Sequence, residues 1–182
     1  TDYVSKENQD FGSIEFNKMC YIRYKIINDL LKQGKAVWLL DVDTVVLYDL
    51  NKYYNSLKKG FDMLFQNDIN MLCCGCMLFV PNIKTIQLTE VMYENKNNIH
   101  NDQVFINDIF RNKPIFNIKV LSVNQFPNGL VYFNELKTEP HFREAQENFN
   151  NSKESVYFVH ANYMVGIQTK INAFKEKKLW FI

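Results

Sequence analysis

The sequence predicts an α/β domain with a mixed, mostly parallel sheet flanked by helices. Three observations carry that reading. Apolar residues at helical spacing over 14–33 are followed at once by the short apolar run AVWLL. Two further apolar runs, FDMLFQ and MLCCGCMLFV, lead into helical patterns at 83–95 and 102–111. Late in the chain VYFVH is again followed by a helical pattern, at 167–178. Strands alternating with helices build a sheet covered by helices.

In the first helix Phe16, Met19, Cys20, Ile26, Ile27, Leu30 and Leu31 share one face, and Gly34 is the stop signal. AVWLL reads as a buried strand ending on Asp41, and residues 50–59 as a short helix closed by Gly60. FDMLFQ and MLCCGCMLFV are strands, the second closed by Pro81 and Asn82. After the helices at 83–95 and 102–111, IKVLSV is a strand, LVYF a short strand, HFREAQENF a helix and VYFVH a strand. In open α/β sheets ligands bind beyond the carboxyl ends of the strands, and Asp41 and His160 both stand at such ends.

At 182 residues the chain reads as a single domain over 1–182, long enough to bury a real core. With 47% hydrophobic residues it is globular in composition. Its 21 basic and 20 acidic residues leave a net charge of +1, which argues against a nucleic-acid binder relying on general attraction to phosphates. No run approaches the roughly 20 apolar residues of a membrane span. The opening TDYVSKENQDFGS is polar and acidic, unlike a signal peptide. Three of the four cysteines crowd into LCCGCML with no second Cys or His pair at zinc-site spacing, so they read as a thiol-lined strand. Free buried thiols fit a reducing compartment, and the cytoplasm is the expected location, with a secretory lumen as the alternative for a longer, anchored chain.

The chemistry concentrates in AVWLLDVDTVVL. On an extended segment Asp41 and Asp43 point to the same side, where they repel each other unless something positive lies between them. The plain alternative is that one caps a turn and the other is solvated. The first motif of haloacid dehalogenase-type phosphatases resembles LLDVDTVV, with the first Asp as nucleophile. That chemistry also needs a later acidic pair, and no Asp follows Asp108. The other reading is the DxD motif of a nucleotide-sugar glycosyltransferase. There two acids hold a divalent ion that neutralises the departing diphosphate, and His160 is well placed as a third ligand.

The order of these pieces resembles the nucleotide-diphospho-sugar transferase family, of the GT-A fold, from about Gly12 to Phe181. SIEFNKMCYIRYKIINDLLKQGKAVWLLDVDTVVLYDL is similar to that family's helix, glycine, strand and DxD. FDMLFQND and LCCGCMLFVPN are similar to its next two strands, NDQVFIND to its Asp-Gln segment, and VYFVHANYMVGIQTKINAF to its closing His, Gly and Lys segment. The resemblance implies that Asp41, Asp43 and His160 bind Mn²⁺ or Mg²⁺, with the imidazole tilting the choice to Mn²⁺. Asp41 would face either the metal or the ribose. It further implies that Arg23, Asp41, Gly75, Gly166 and Lys170 contact a nucleotide-diphosphate sugar donor. Arg23 stands where the family usually has Lys, and Cys73 and Cys74 stand where it often has a small polar residue or Asn before the glycine.

On the same likeness Asp102 and Gln103 face the transferred sugar and are the candidates for catalysis, though Asn101 or Asp102 could instead simply cap the helix that follows. The GT-A fold begins with a strand and helix upstream of the matched region, so the expectation is a fold lacking that unit or a piece of a longer protein with further domains. The implied activity is a metal-dependent hexosyl- or pentosyltransferase, with a UDP-sugar donor favoured and a glycan or glycoprotein as acceptor. A catalytically silent nucleotide- or glycan-binding domain of the same fold is the second reading, and the phosphatase the third.

Overall fold

Ser13 opens the first helix by accepting a hydrogen bond on its hydroxyl from the Phe16 amide at 3.2 Å, which satisfies one of the amides that a helix start leaves bare. In the computed structural model, which describes residues 12–57, 60–97, 100–133 and 140–181, this helix is α1, Ile14–Lys32. Gly34, with φ +77°, takes the left-handed turn that ends it. There follow β1 (Val37–Leu40), β2 (Thr44–Val46), α2 (Leu50–Ser56), β3 (Met63–Asn67), β4 (Leu72–Phe79), α3 (Ile83–Glu94) and α4 (Asp102–Asn112). Then come β5 (Ile118–Leu121), α5 (Gly129–Tyr132), α6 (Pro140–Asn151), β6 (Phe158–His160) and α7 (Ile167–Glu176). Four strands lie in the order β1-β4-β3-β5, and β2 pairs with β6 in a sheet of their own. No helix among the described residues is long and apolar enough to cross a membrane.

The chain divides into two compact units. The first takes the described parts of Thr1–Trp38, Gly60–Leu64 and Met77–Lys119. In it α1 packs on α3 and α4. The buried face of α1 is not the one that the apolar residues alone predict. Cys20, Ile27 and Leu31 are buried, but Met19 and Ile26 are 42% and 64% exposed. Tyr21, Tyr24 and Asn28 take the inner positions. The reason is hydrogen bonding: Asn28 donates to the Ile86 carbonyl at 2.8 Å and to Thr89 Oγ1 at 2.9 Å, which joins α1 to α3. A polar group with partners inside is as much a core residue as an apolar one.

The second unit takes the described parts of Leu39–Lys59, Phe65–Cys76 and Val120–Ile182. Its two-stranded sheet is antiparallel, with Thr44 opposite His160, Val45 opposite Val159 and Val46 opposite Phe158. Val159, Ala161, Phe174 and Leu179 form a buried cluster that fastens α7 to β6. Tyr53, Phe126 and Tyr157 form an aromatic trio at ring distances of 4.7–5.3 Å, with Phe126 stacked on Tyr157 and Tyr53 edge-on or tilted to both.

Two expectations are corrected here, and one element is added. LVYF is not a strand: Leu130–Tyr132 lie in the single helical turn α5, which Asn128 starts by accepting from the Val131 amide at 3.1 Å. Its aromatic and β-branched residues favour a strand only locally, and the cap overrides them. The helix expected over 50–59 ends at Ser56, before Gly60. The short strand β2 was not expected, because it follows the acidic pair directly and is only 3 residues long.

Gly129 is required by packing. A Cβ there would stand 1.9 Å from the Asn162 carbonyl oxygen, and the Gly129 amide donates to Asn162 Oδ1 at 2.7 Å. Gly129→Ala is expected to destabilise the protein by about 1–3 kcal/mol, read as a lower urea midpoint; an unchanged midpoint would contradict this close approach.

Candidate metal and donor site

The candidate centre lies wholly in the second unit. β1 ends at Leu40, and the Asp41 amide donates to the Gly75 carbonyl of β4 at 2.7 Å. The chain then turns: the Thr44 amide donates to the Asp41 carbonyl at 3.1 Å. Asp41 and Asp43 therefore converge across a turn, with Val42 fully exposed at its tip, and not by the side alternation of a strand. From Thr44 the register of β2 on β6 sets His160 directly opposite, and the Ala161 amide donates to the Asp43 carbonyl at 2.9 Å.

The three side chains meet. His160 Nε2 lies 3.3 Å from Asp43 Oδ1 and 4.0 Å from Asp41 Oδ2. One ligand atom from each of the three fits within a 4.8 Å span. Lys170, in the first turns of α7, donates its ammonium to Asp43 Oδ2 at 2.5 Å. Gly75 makes the room: a Cβ there would stand 2.4 Å from His160 Cε1 and 2.6 Å from Asp41 Oδ2. Two carboxylates and one imidazole are a mixed oxygen and nitrogen set of the kind that holds a divalent first-row cation. Asp43 can offer Oδ1 to such an ion while Oδ2 stays with Lys170.

Charges at the centre are mutually adjusted. Burial by itself opposes the Asp43 anion, but His160 and Lys170 outweigh it and hold the carboxyl well below its usual range. Burial likewise opposes the His160 cation, yet Cys76 and the hydrogen bonds to Asp43, Cys73 and Cys76 raise the imidazole well above its ordinary value. Burial pushes the Cys73 thiol up to about 11. All four cysteines are buried and free, in line with the thiol-lined strand read from LCCGCML.

Behind the imidazole stands a residue that the sequence reading passed over. Gln66 Oε1 lies 2.9 Å from His160 Nδ1. The signal available was an amide directly closing the apolar run Met63-Leu64-Phe65, which the structure buries fully.

Gly166 is the N-cap residue of α7, at φ +90° with no side-chain cap. Lys170 lies one turn further on.

The remaining candidates lie in the first unit. Asn101 is the cap of α4, accepting from the Val104 amide at 2.9 Å, which frees Asp102 from that duty. Asp102 is 3% exposed. Its Oδ2 accepts from Arg23 at 2.6 Å and from the Tyr24 hydroxyl at 3.0 Å. Arg23 is thus paired with Asp102. Gln103, next along α4, is half-buried, and its carbonyl accepts from Asn107 Nδ2 at 2.8 Å.

Comparison with known proteins gives this arrangement a context. Residues 1–174 match the nucleotide-diphospho-sugar transferase family. The chain belongs to that family. It is 24% identical over 207 residues to the UDP-galactose:fucoside alpha-3-galactosyltransferase of Dictyostelium discoideum, covering 98% of the chain and 30% of the relative. It is 24% identical over 202 residues to UDP-D-xylose:L-fucose alpha-1,3-D-xylosyltransferase 3 of Arabidopsis thaliana, covering 94% of the chain and 49% of the relative. The chain therefore spans half or less of these two curated relatives. Among solved structures it is similar to the apo crystal structure of mouse xyloside xylosyltransferase 1, with a TM-score of 0.52, 11% identity, and coverage of 90% of this chain and 69% of that one. The fold of this family member is GT-A, as the resemblance implied.

The two charge adjustments set a pH window for the metal-free protein. Because Asp43 is lowered, its contribution is present above about pH 3.9 and is lost as pH falls through its folded value. Because His160 is raised, its contribution is complete below about pH 6.5 and is lost as pH rises through its folded value. Urea midpoints are expected to peak between these limits and fall on both sides, and the alkaline fall should vanish in His160→Gln. An alkaline fall of the same size in that variant would contradict the pairing.

Proposed function

We propose that the chain is a metal-dependent glycosyltransferase that moves a sugar from a UDP-sugar to a glycan or protein-linked acceptor. The observation that carries this reading is the convergence of Asp41, Asp43 and His160 around the space left by Gly75, with Lys170 on the outer oxygen of Asp43. The costly step in such a transfer is departure of a nucleoside diphosphate, whose growing negative charge must be met as it forms. A divalent ion, Mn²⁺ by the presence of an imidazole ligand, supplies Lewis-acid neutralisation there.

The chain's own groups do the rest. Asp41, Asp43 and His160 hold the ion, with Asp43 as the principal ligand and Asp41 facing the ion or the ribose. Lys170 adds a point charge for the diphosphate and is kept in place by Asp43 until donor binds. Gly166 lets the backbone approach at the start of α7, where unpaired amides and the helix dipole favour anions. Asp102 and Gln103 orient the transferred sugar. Arg23 contributes to the donor side by fixing the Asp102 carboxylate.

The relatives' names support the choice of donor and acceptor. They specify UDP-galactose or UDP-D-xylose as donor, and a fucoside or L-fucose as acceptor. A deoxysugar-bearing glycan is accordingly the first acceptor to try. The family assignment leaves no ground for the aspartyl-phosphatase alternative.

Isothermal titration of UDP with and without Mn²⁺ tests the metal, and a donor-hydrolysis screen over UDP- and GDP-sugars tests the chemistry. UDP is expected to bind at least tenfold more tightly with Mn²⁺, and Asp43→Asn should abolish that gain. Binding of equal strength without metal, unaffected by Asp43→Asn, would overturn the reading; a UDP-sugar bound tightly and left intact would mark a silent domain instead. The raised imidazole adds a pH signature: Mn²⁺ would have to displace the proton on His160, so affinity should climb with pH until the raised value of the folded ring is passed, with roughly one proton leaving per ion bound below it. Titration in buffers of different ionisation enthalpy measures that proton, and its absence would exclude His160 as a ligand.

A further inference from the structure

We propose that Gln66 is a positioning residue for the metal centre, and that its side-chain carbonyl dictates which nitrogen of His160 carries the proton. The proposal rests on the reading of His160 as a ligand given above. Gln66 sits in β3 with no exposed surface, so every polar atom of its amide needs a partner inside the protein. Its Nε2 lies 3.2 Å from the Phe126 carbonyl oxygen and 3.0 Å from that of Pro127. Carbonyl oxygens only accept, so the end of the amide that faces both of them is the NH₂ group. That fixes the other end. The atom 2.9 Å from His160 Nδ1 is the amide oxygen, which also can only accept.

It follows that Nδ1 is the nitrogen that holds hydrogen and donates to Gln66. A neutral imidazole has one N–H, so Nε2 is left with its lone pair. Nε2 is the nitrogen that stands 3.3 Å from Asp43 Oδ1 and 4.0 Å from Asp41 Oδ2. A neutral ring has acceptors at both ends, Gln66 Oε1 at Nδ1 and Asp43 Oδ1 at Nε2. With an ion on Nε2 only the Nδ1 proton on Gln66 remains, and the opposite tautomer would set two lone pairs against each other at Gln66 and aim an N–H at the ion. The Cys73 sulfur, 3.8 Å from Nδ1, is a weak partner beside the amide. Both residues are also fixed to the same strip of backbone, since the His160 amide donates to the Pro127 carbonyl at 3.4 Å. Hydrogen bonding to the far nitrogen of a ligating histidine sets ring orientation and ligand basicity, and losing it commonly costs 10–100-fold in metal affinity.

The test combines nitrogen NMR of His160 with Mn²⁺ titration in the presence of UDP. In wild-type protein loaded with Mg²⁺ and UDP, a diamagnetic stand-in for the Mn²⁺ complex, the ring proton is expected on Nδ1. A proton on Nε2 would overturn the proposal, and that result needs no variant. Gln66→Met, of similar length and with only a weakly accepting sulfur, should weaken Mn²⁺ about 10–100-fold. In the His160→Ala background the same substitution should produce no further loss. An equal loss in both backgrounds would show a merely structural role for Gln66 and sink the idea. If wild-type protein binds neither Mn²⁺ nor Mg²⁺, the metal reading fails and takes this proposal with it, whereas binding with an equal loss in both backgrounds sinks the positioning role alone.

Discussion

The Asp43 carboxylate divides its oxygens between two nitrogen-bearing side chains, Oδ1 toward the His160 imidazole and Oδ2 toward the Lys170 ammonium. The candidate centre is built to keep it there. A half-buried carboxylate beside a second acid is unfavourable unless opposite charge compensates it. β6 brings the imidazole through a three-residue register on β2, and α7 brings the ammonium through the packing of Phe174 on Val159 and Ala161. Gly75 removes the one side chain whose bulk would push Asp41 and His160 apart. Three separated pieces of sequence thus meet through ordinary packing and pairing. The electrostatic pattern also suits the proposed guests: a divalent ion would replace one proton on His160, and a diphosphate would give Lys170 a new partner.

The first unit treats its own buried acid in the same way. Asp102 is turned inward from the start of α4 because Asn101 performs the capping, and Arg23 and Tyr24 from α1 share its Oδ2. An acid that is buried, paired and held by hydrogen bonds has a defined orientation, which is what a group that orients a sugar requires. The pairing also accounts for the altered face of α1. Tyr24 and Asn28 must point inward to reach Asp102 and Thr89, and the apolar Ile26 is left in solvent.

Much of the candidate centre was legible in the sequence because its parts are short, ordered motifs. Asp41 and Asp43 close an apolar run, and His160, Gly166 and Lys170 recur at fixed spacing near the end of the chain. The strands and helices with clear punctuation were legible for the same reason, as with Gly34 after α1 and Pro81-Asn82 after β4. What escaped depends on partners far away in sequence. Gln66 is one polar residue in a strand, and its role exists only because the carbonyls of Phe126 and Pro127 hold its amide. LVYF has the composition of a strand, but Asn128 starts a helical turn there and Gly129 packs against Asn162. The convergence of the two aspartates was anticipated, while its cause was not: a turn closed by the Thr44 amide does the work assigned to strand alternation.

The central claim is that these residues form one metal centre, and anomalous diffraction at the manganese edge tests it most directly. Crystals grown with Mn²⁺ and UDP should show one strong peak bonded to Asp43 Oδ1, His160 Nε2 and Asp41 or the ribose, with the diphosphate reaching Lys170. A clear UDP with no manganese peak between Asp43 and His160 would contradict the account.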